Sequence, residues 1–573
     1  MVSPTDPETL TNVYAPCPGP SHVTMEHYEG GPLRHVGDVL AMGADRYGGK
    51  TAFTSFGEAT SYRELDEDAD RVANVLVEHG VGPDDRVGLF LPNTVQFPEA
   101  YFGAVRAGAV PVPLNLRMAP ETLVYVLQNS GADHVIGSPL LADEVRDLVS
   151  AAEVGTLLLP GVSDEDAGIV NYSHAKTEHD PAFDRPERAY DDVACQPYTS
   201  GTTGRPKGVL LSHENLLSTI ESYTLGGLAV DADDAIVLAL PLFHIYALNA
   251  VMGTYLYRGG TMHLQPEPDG EQMLRGIDEH GATTFAGVPA MFTMMWRAYR
   301  EEPDAYDVSS LRYVNCAAAP LADEVRRTIE EAWNLPMVEG WGMTETAPAG
   351  TVEPAHGVRK SAGCIGPALE NIEMKLVDPE TRETRVSAEQ LRPFPDPDVD
   401  FDDPEAVTGE IAIRGPNVFE GYFGLPEKTD EVFDDEGYFY TEDIARVDED
   451  GYFWMVDRAD DMIIAGGENV YPTEVESALY EHPDVAEAAV VGAPHEVKGE
   501  APVAFVVLEE GAEVTEEELR RFSLDHVATY AHPRRVFFVE ELPRSATQKV
   551  QRYRLEAEVG DLLDGPLSSS EEL

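Results

Sequence analysis

The chain has 573 residues, 43% of them hydrophobic, and carries 103 acidic against 40 basic side chains, a net charge of -63. That size allows a large multi-part globular protein at roughly 150 residues per domain, while the carboxylate excess excludes nucleic acid and anionic membrane surfaces as partners. No apolar run approaches the ~20 residues of a membrane helix, and the N-terminus, Met-Val-Ser-Pro-Thr-Asp-Pro-Glu, lacks the basic and apolar regions of a secretory signal.

The acidic residues are spread along the chain rather than gathered in a tail, and lysine is confined to positions 50, 176, 207, 360, 375, 428, 498 and 549. This pattern predicts a protein of a salt-rich cytoplasm, where ions screen self-repulsion over roughly 3 Å at 1 M. Cys17, Cys195, Cys316 and Cys364 are far apart, show no metal-ligand spacing and read as reduced thiols.

In chain order, Ser61 with Glu64 forms a capping box, and Leu65, Ala69, Val72, Ala73 and Leu76 recur at helical spacing until Gly80. A strand from Val87 to Leu91, a second helix up to Gly108 and a strand from Val110 to Pro113 follow. Such alternation implies an α/β fold with a parallel sheet covered on both faces. Residues 151–192 read as polar and irregular.

The run from Tyr198 to His213 combines glycines at 201, 204 and 208 with the hydroxyls of Thr199, Ser200, Thr202 and Thr203 and the ammonium of Lys207. Glycine lets the backbone come close to a ligand, and the polar groups are the donors a polyphosphate needs. The Walker pattern is absent. A flexible polar linker is the bland alternative, but this run leads directly into apolar Val209-Leu210-Leu211 and a helix start at Ser212.

A buried strand from Ala235 to Leu240 delivers Pro-Leu-Phe-His244-Ile-Tyr, and strand-like Tyr313 to Cys316 leads to Ala317-Ala318-Ala319-Pro320. In Glu339-Gly340-Trp341-Gly342-Met343-Thr344-Glu345 two glycines allow close approach, Trp341 offers a flat face, and Glu345 can hold magnesium on phosphate oxygens. The Asp-, Glu- and Pro-rich stretch 378–405 reads as a solvated excursion. Beyond it stand Thr408 to Tyr422, Gly437-Tyr438-Phe439-Tyr440-Thr441-Glu442-Asp443, Asp457-Arg458-Ala459-Asp460-Asp461 and Ala465-Gly466-Gly467-Glu468-Asn469. Strand-like Ala488 to Val491 and Val503 to Leu508 surround a polar turn. Thr515 with Glu518 caps a helix using Leu519, Phe522 and Val527, before Pro543-Arg-Ser-Ala-Thr-Gln548-Lys549.

Taken together, these motifs resemble the adenylate-forming superfamily, which includes acyl-CoA synthetases, 4-coumarate:CoA ligases, firefly luciferases and peptide-synthetase adenylation domains. The resemblance runs from about Leu40 to Lys549. It implies a large N-terminal domain (1–460) of parallel-rich sheets with covering helices, and a small α+β C-terminal domain (461–573) on a hinge at Asp461. ATP would be held by Thr199, Ser200, Gly201, Thr202, Thr203, Gly204, Ala319, Pro320, Glu339, Gly340, Trp341, Gly342, Thr344, Asp443 and Arg458. Magnesium would sit on Thr199 and Glu345. Lys207, His244 and Lys549 would be the catalytic groups, and Gly466, Gly467 and Glu468 would face CoA.

The implied activity is activation of a carboxylic acid to an acyl-adenylate with pyrophosphate release, then transfer to CoA. A medium- or long-chain fatty acid is preferred, with an aryl acid as runner-up. The Phe-His element carries no aspartate to pair an α-ammonium group, which argues against amino acids. A luciferase-like oxygenase would share these motifs; a non-catalytic scaffold would be expected to lose Lys207, Glu345, Asp443, Arg458 or Lys549. The expected location is cytoplasmic, and a homodimer stays open. The chain departs from the family pattern at Trp341 (commonly tyrosine), Glu442 (glycine), Asp460 (lysine) and Gln548 (glycine).

Overall fold

The computed structural model describes residues 33–567 apart from 163, 165–167, 200–204, 320, 322, 356–359, 362, 392–398, 459–460, 466–467, 510, 525, 545–549 and 564–566. Cys17, Asp460, Gln548 and residues 395–398 of the Pro395–Pro404 run therefore lie outside the described residues.

Two α/β layers form the body. One sheet runs, in spatial order, Thr351–Val352, Met337–Trp341, Tyr313–Ala317, Thr284–Gly287, Ala235–Leu238, Thr261–Leu264, Thr51–Ser55 and Glu58–Ser61. It is parallel except at its two edge strands. The other, Val110–Pro113, Arg86–Phe90, His134–Gly137, Thr156–Leu159 and Ile169–Asn171, is parallel throughout. Helices cover both faces, so strands such as Val110–Pro113 and Thr284–Gly287 are buried at every position, as parallel strands require.

Two antiparallel sheets complete this large domain. In the smaller, Lys207–Ser212 pairs with Tyr198–Thr199, Val193–Cys195 and Gly421–Tyr422. The larger has the order Cys364–Gly366, Phe453–Arg458, Phe439–Val447, Thr408–Arg414, Glu373–Val377, Thr384–Val386. Beyond Arg458 the chain enters a smaller α+β domain. Its sheet contains Glu468–Val470, Ile463–Ala465, Gly499–Leu508, Val485–His495 and Val536–Phe538, covered by helices Pro472–Tyr480, Glu516–Leu524 and Arg552–Leu562 around separate apolar cores.

Local chemistry explains the element boundaries. Ser61 and Glu64 close the expected capping box on Tyr62–Glu78, whose predicted apolar stripe is buried. Gly80 adopts φ +92°, a left-handed conformation that favours glycine. Thr515 and Glu518 cap Glu516–Leu524 reciprocally, and Val527 packs on the same core from beyond the helix end.

Two expectations are corrected. Residues 151–192, read as irregular, contain strands Thr156–Leu159 and Ile169–Asn171 and the helix Tyr172–Thr177. The acidic stretch 378–405 contributes an edge strand, Thr384–Val386, and short helices Ala388–Leu391 and Pro404–Val407. In both places charged residues mask short apolar runs such as Leu157-Leu158-Leu159, which are buried.

Candidate active site

The strand Lys207–Ser212 organises the site. It pairs antiparallel with Tyr198–Thr199 in a register that sets Lys207 opposite Thr199 and Gly208 opposite Tyr198. A Cβ at Gly208 would stand 2.8 Å from Gln196 Nε2, so glycine permits this close pairing. Ser212 then caps the helix His213–Ser222, accepting from Asn215 N at 3.2 Å while Asn215 Oδ1 accepts from Ser212 N at 2.8 Å. Ser200, Gly201, Thr202, Thr203 and Gly204 lie outside the described residues.

On the other edge of the same strand, Tyr422 stands opposite Val209. Its hydroxyl donates to Glu345 Oε1 at 3.0 Å, and Lys207 Nζ lies 4.4 Å from its ring centroid. Glu345 is buried, and desolvation raises its pKa against the opposing effects of Tyr422, Lys207 and Arg458. Thr344 and Glu345 sit in a single 3₁₀ turn, Thr344–Thr346.

The strand Met337–Trp341 supplies the floor. Gly340 stands opposite Ala317, whose neighbour Ala318 has φ +73° and leads to Ala319; Pro320 is outside the described residues. At Gly342 a Cβ would overlap Pro348 O at 1.5 Å, so no other residue fits this turn. Trp341 Nε1 donates to Asp443 Oδ2 at 2.7 Å, and Arg458 Nε lies 3.3 Å from Asp443 Oδ1. Glu339 is committed elsewhere: its carboxylate accepts from Arg326 Nη1 at 2.9 Å, Arg326 Nη2 lies 3.0 Å from Glu353, and burial pushes the Glu339 pKa up to about 8. Its main chain is engaged as well: Glu339 N donates to Glu353 Oε2 at 3.1 Å and Glu339 O accepts from Glu353 N at 2.8 Å.

Glu442, which stands where the family pattern has glycine, has φ +61°. Glycine suits that left-handed conformation, which accounts for the family preference. The Glu442 side chain is exposed, 3.5 Å from Arg458 Nη2, so solvent screens its charge.

His244 lies on the wall between two cavities. One is lined by Leu240, Pro241, Tyr246, Val288, Met291 and Ala318 among others. The other is lined by Leu114, Asn115, Met118, Tyr198 and Phe243 among others. A π-helix, Tyr246–Gly253, begins directly after it, a distortion common at functional sites. His244 Nδ1 accepts from Tyr246 N at 3.3 Å.

Asp461 is partly buried. Arg552 Nη1 lies 3.1 Å from Asp461 Oδ2, and Arg552 Nη2 donates to both oxygens of Glu476 at 2.8 and 2.9 Å. Asp457, raised to about 6 by burial, accepts from Thr473 N at 3.0 Å. Gly466, Gly467 and Lys549 lie outside the described residues, as does the Glu468 side chain. Tyr422, Arg326 and Arg552 escaped the sequence reading, because each acts through a partner more than ten residues away.

Among the described residues no group of three or more His, Cys, Asp or Glu side chains could hold a metal ion alone. A magnesium ion carried on phosphate oxygens needs only one or two protein oxygens. The buried carboxylate of Glu345, under-compensated by its neighbours, fits that demand, with the Thr199 hydroxyl as the expected second donor.

A two-domain α/β architecture, with a glycine-flanked cationic strand facing a buried carboxylate and an aromatic-braced aspartate, defines an adenylate-forming enzyme. Comparison with known proteins agrees. Residues 40–423 match the AMP-binding enzyme model and residues 474–549 the AMP-binding enzyme C-terminal domain. The chain belongs to the AMP-binding enzyme family and is an AMP-forming acid–CoA ligase. It is 36% identical over 506 residues to a feruloyl-CoA synthase of Amycolatopsis sp, covering 87% of this chain and 94% of that one. It is 32% identical over 550 residues to a long-chain-fatty-acid–CoA ligase of Bacillus subtilis, covering 91% and 94%. The ATP-bound crystal structure of MatB from Rhodopseudomonas palustris superposes with a TM-score of 0.80 at 33% identity, covering 92% of this chain and 99% of that one.

Proposed function

We propose that the enzyme activates a medium- or long-chain fatty acid to its acyl-adenylate and passes the acyl group to CoA. The observation that carries the acid's class is the apolar cavity beside His244, in which Leu240, Pro241, Val288, Met291 and Ala318 present hydrocarbon. Its lining, hydrocarbon with few polar groups, suits an acyl chain. Seating a chain there needs His244, which stands between this cavity and the second, to swing aside. The likeness to a feruloyl-CoA synthase favours an aryl acid as the second reading.

Joining a carboxylate to the α-phosphorus of ATP brings two anions together, so the site must supply positive charge and orientation rather than a strong base. In this reading Lys207 and the loop donors at 199–204 hold the phosphates. Asp443 and Arg458 hold the ribose, the Trp341 and Ala319 walls hold the adenine, and Lys549 stabilises the developing charge. Magnesium, when bound on Glu345 and Thr199, neutralises phosphate oxygens. The small domain, taken to begin at Asp461, then turns to withdraw Lys549 and bring the Gly466-Gly467-Glu468 loop to the adenylate for attack by the CoA thiol. The net charge of -63 fits a salt-rich cytoplasm as its setting.

The test is pyrophosphate release in high-salt buffer with ATP and magnesium across fatty, aryl and amino acids, with and without CoA. Release with decanoate or palmitate, and thioester only when CoA is present, is expected. Turnover with ferulate or benzoate but no fatty acid would select the second reading, and turnover only with amino acids would contradict both.

A further inference from the structure

Lys207 and Glu345 carry opposite charges and both face the same phosphate-binding region, yet no ion pair joins them among the described residues. The Tyr422 ring and hydroxyl connect them instead. The hydroxyl donates to Glu345 Oε1 at 3.0 Å, and the ring face receives Lys207 Nζ at 4.4 Å from its centroid. An ammonium over an aromatic face is attracted by the ring quadrupole without being neutralised, and a hydroxyl bond orients a carboxylate while leaving its other lone pairs open.

Tyr422 is itself held on every side. Its N–H donates to Thr429 Oγ1 at 2.9 Å, and its strand is pinned to Lys207–Ser212 by Phe423 N to Gly208 O at 2.8 Å and Glu420 N to Leu210 O at 2.9 Å. Phe419 packs edge-on against the ring at 4.9 Å, and Phe419 N donates to Glu345 O at 2.9 Å, so one short segment fixes both the tyrosine and the carboxylate's main chain. Side chain and backbone are buried, with Tyr422 only 6% exposed.

We propose that Tyr422 is a positioning residue that keeps Lys207 and Glu345 apart, so that the ammonium stays available to phosphate and the carboxylate to magnesium until nucleotide arrives. The inference rests on the reading of this region as the ATP site. Without the tyrosine the two charges collapse onto one another, and ATP must break that pair to bind.

The experiment is calorimetric titration of ATP, with EDTA and with magnesium, into wild type, Tyr422→Phe, Tyr422→Leu and the double variant Tyr422→Leu/Glu345→Gln. Tyr422→Phe keeps the ring over Lys207, so its metal-free ATP affinity is expected to equal wild type, while the tightening produced by magnesium falls about tenfold, the share of one bond to a charged group. Tyr422→Leu is expected to lose about tenfold in metal-free affinity as well, and Glu345→Gln in that background restores it because Lys207 is no longer neutralised. A merely structural tyrosine would not change the ratio of the two affinities. Wild-type affinities in Tyr422→Phe under both conditions, or a folded Tyr422→Leu whose metal-free loss Glu345→Gln fails to restore, would overturn the proposal. Absence of ATP binding by the wild type would remove the nucleotide-site reading itself, and this inference with it.

Discussion

The indole Nε1 of Trp341 donates a 2.7 Å hydrogen bond to Asp443 Oδ2, while Arg458 Nε stands 3.3 Å from Oδ1, so a floor residue and a hinge-side residue grip one carboxylate from both ends. A bond to a charged group contributes about 1.5–3 kcal/mol. Trp341→Phe keeps the flat face and loses that bond. The expected outcome is an increase of about tenfold or more in the KM for ATP with a much smaller change in kcat, measured by steady-state pyrophosphate release; an unchanged KM would contradict the bracing role.

Lys207→Ala and Glu345→Gln remove charge that acts on the phosphates and magnesium of ATP, both as it binds and as it is cleaved. Losses of about 10²–10³ in the adenylation rate are expected, the scale of one electrostatic stabiliser. Supplied acyl-adenylate plus CoA bypasses that step, so thioester formation from it is expected to stay near wild type, which separates lost chemistry from lost folding.

Arg552 ties Asp461 to Glu476 of the helix Pro472–Tyr480, with Asp457 nearby. Arg552→Ala leaves those carboxylates partly buried without their cation, and breaking such a network costs about 3–5 kcal/mol. Urea melts are expected to show the small domain unfolding earlier, and thioester formation to suffer more than adenylation. A midpoint equal to wild type would contradict the network's role.

His35 and His213 lie against one another, their rings tilted by 33° with centroids 4.3 Å apart, and His213 Nδ1 accepts from Val36 N at 3.1 Å. Burial, with Arg185, Arg106 and Arg188 nearby, lowers His35 to about 2, and burial with Arg188 lowers His213 to about 4 against Asp192. Both rings are neutral in the fold, whereas the unfolded chain takes up protons near pH 6.5. Their stabilising contribution is therefore full above about pH 6.5 and is lost progressively as pH falls towards 4. Thermal midpoints should drop over that window, and His213→Gln should make the drop shallower; an equal slope would contradict it.

With 103 acidic against 40 basic residues, self-repulsion opposes the folded state at low ionic strength. The thermal midpoint is expected to rise between about 0.1 and about 3 M KCl as the screening length shortens. A protein equally stable in dilute buffer would contradict the salt-rich setting.

What the sequence made legible was local. Ser61 with Glu64 and Ser212 with Asn215 cap their helices through contacts three residues apart, and the strand Val110–Pro113 has the expected bounds. Motif order placed Lys207, Trp341, Glu345, Asp443 and Arg458 in one region, and the geometry of Trp341 with Asp443 and of Lys207 with Glu345 through Tyr422 is consistent with that. Long-range pairings were not legible. Tyr422 reaches Glu345 across 77 positions and Arg552 reaches Asp461 across 91, and no periodicity encodes such contacts. The left-handed φ of +61° at Glu442 was not legible either, because backbone handedness depends on the strand pairing around it.

Oxygen-18 transfer tests the central claim most directly. An acid that turns over is labelled in both carboxylate oxygens and incubated with ATP, magnesium and CoA. Attack of the carboxylate on the α-phosphorus predicts that the AMP released carries one labelled oxygen, with unlabelled pyrophosphate and one equivalent of acyl-CoA. ADP with labelled inorganic phosphate would mean attack on the γ-phosphorus, and would contradict adenylate formation at this site.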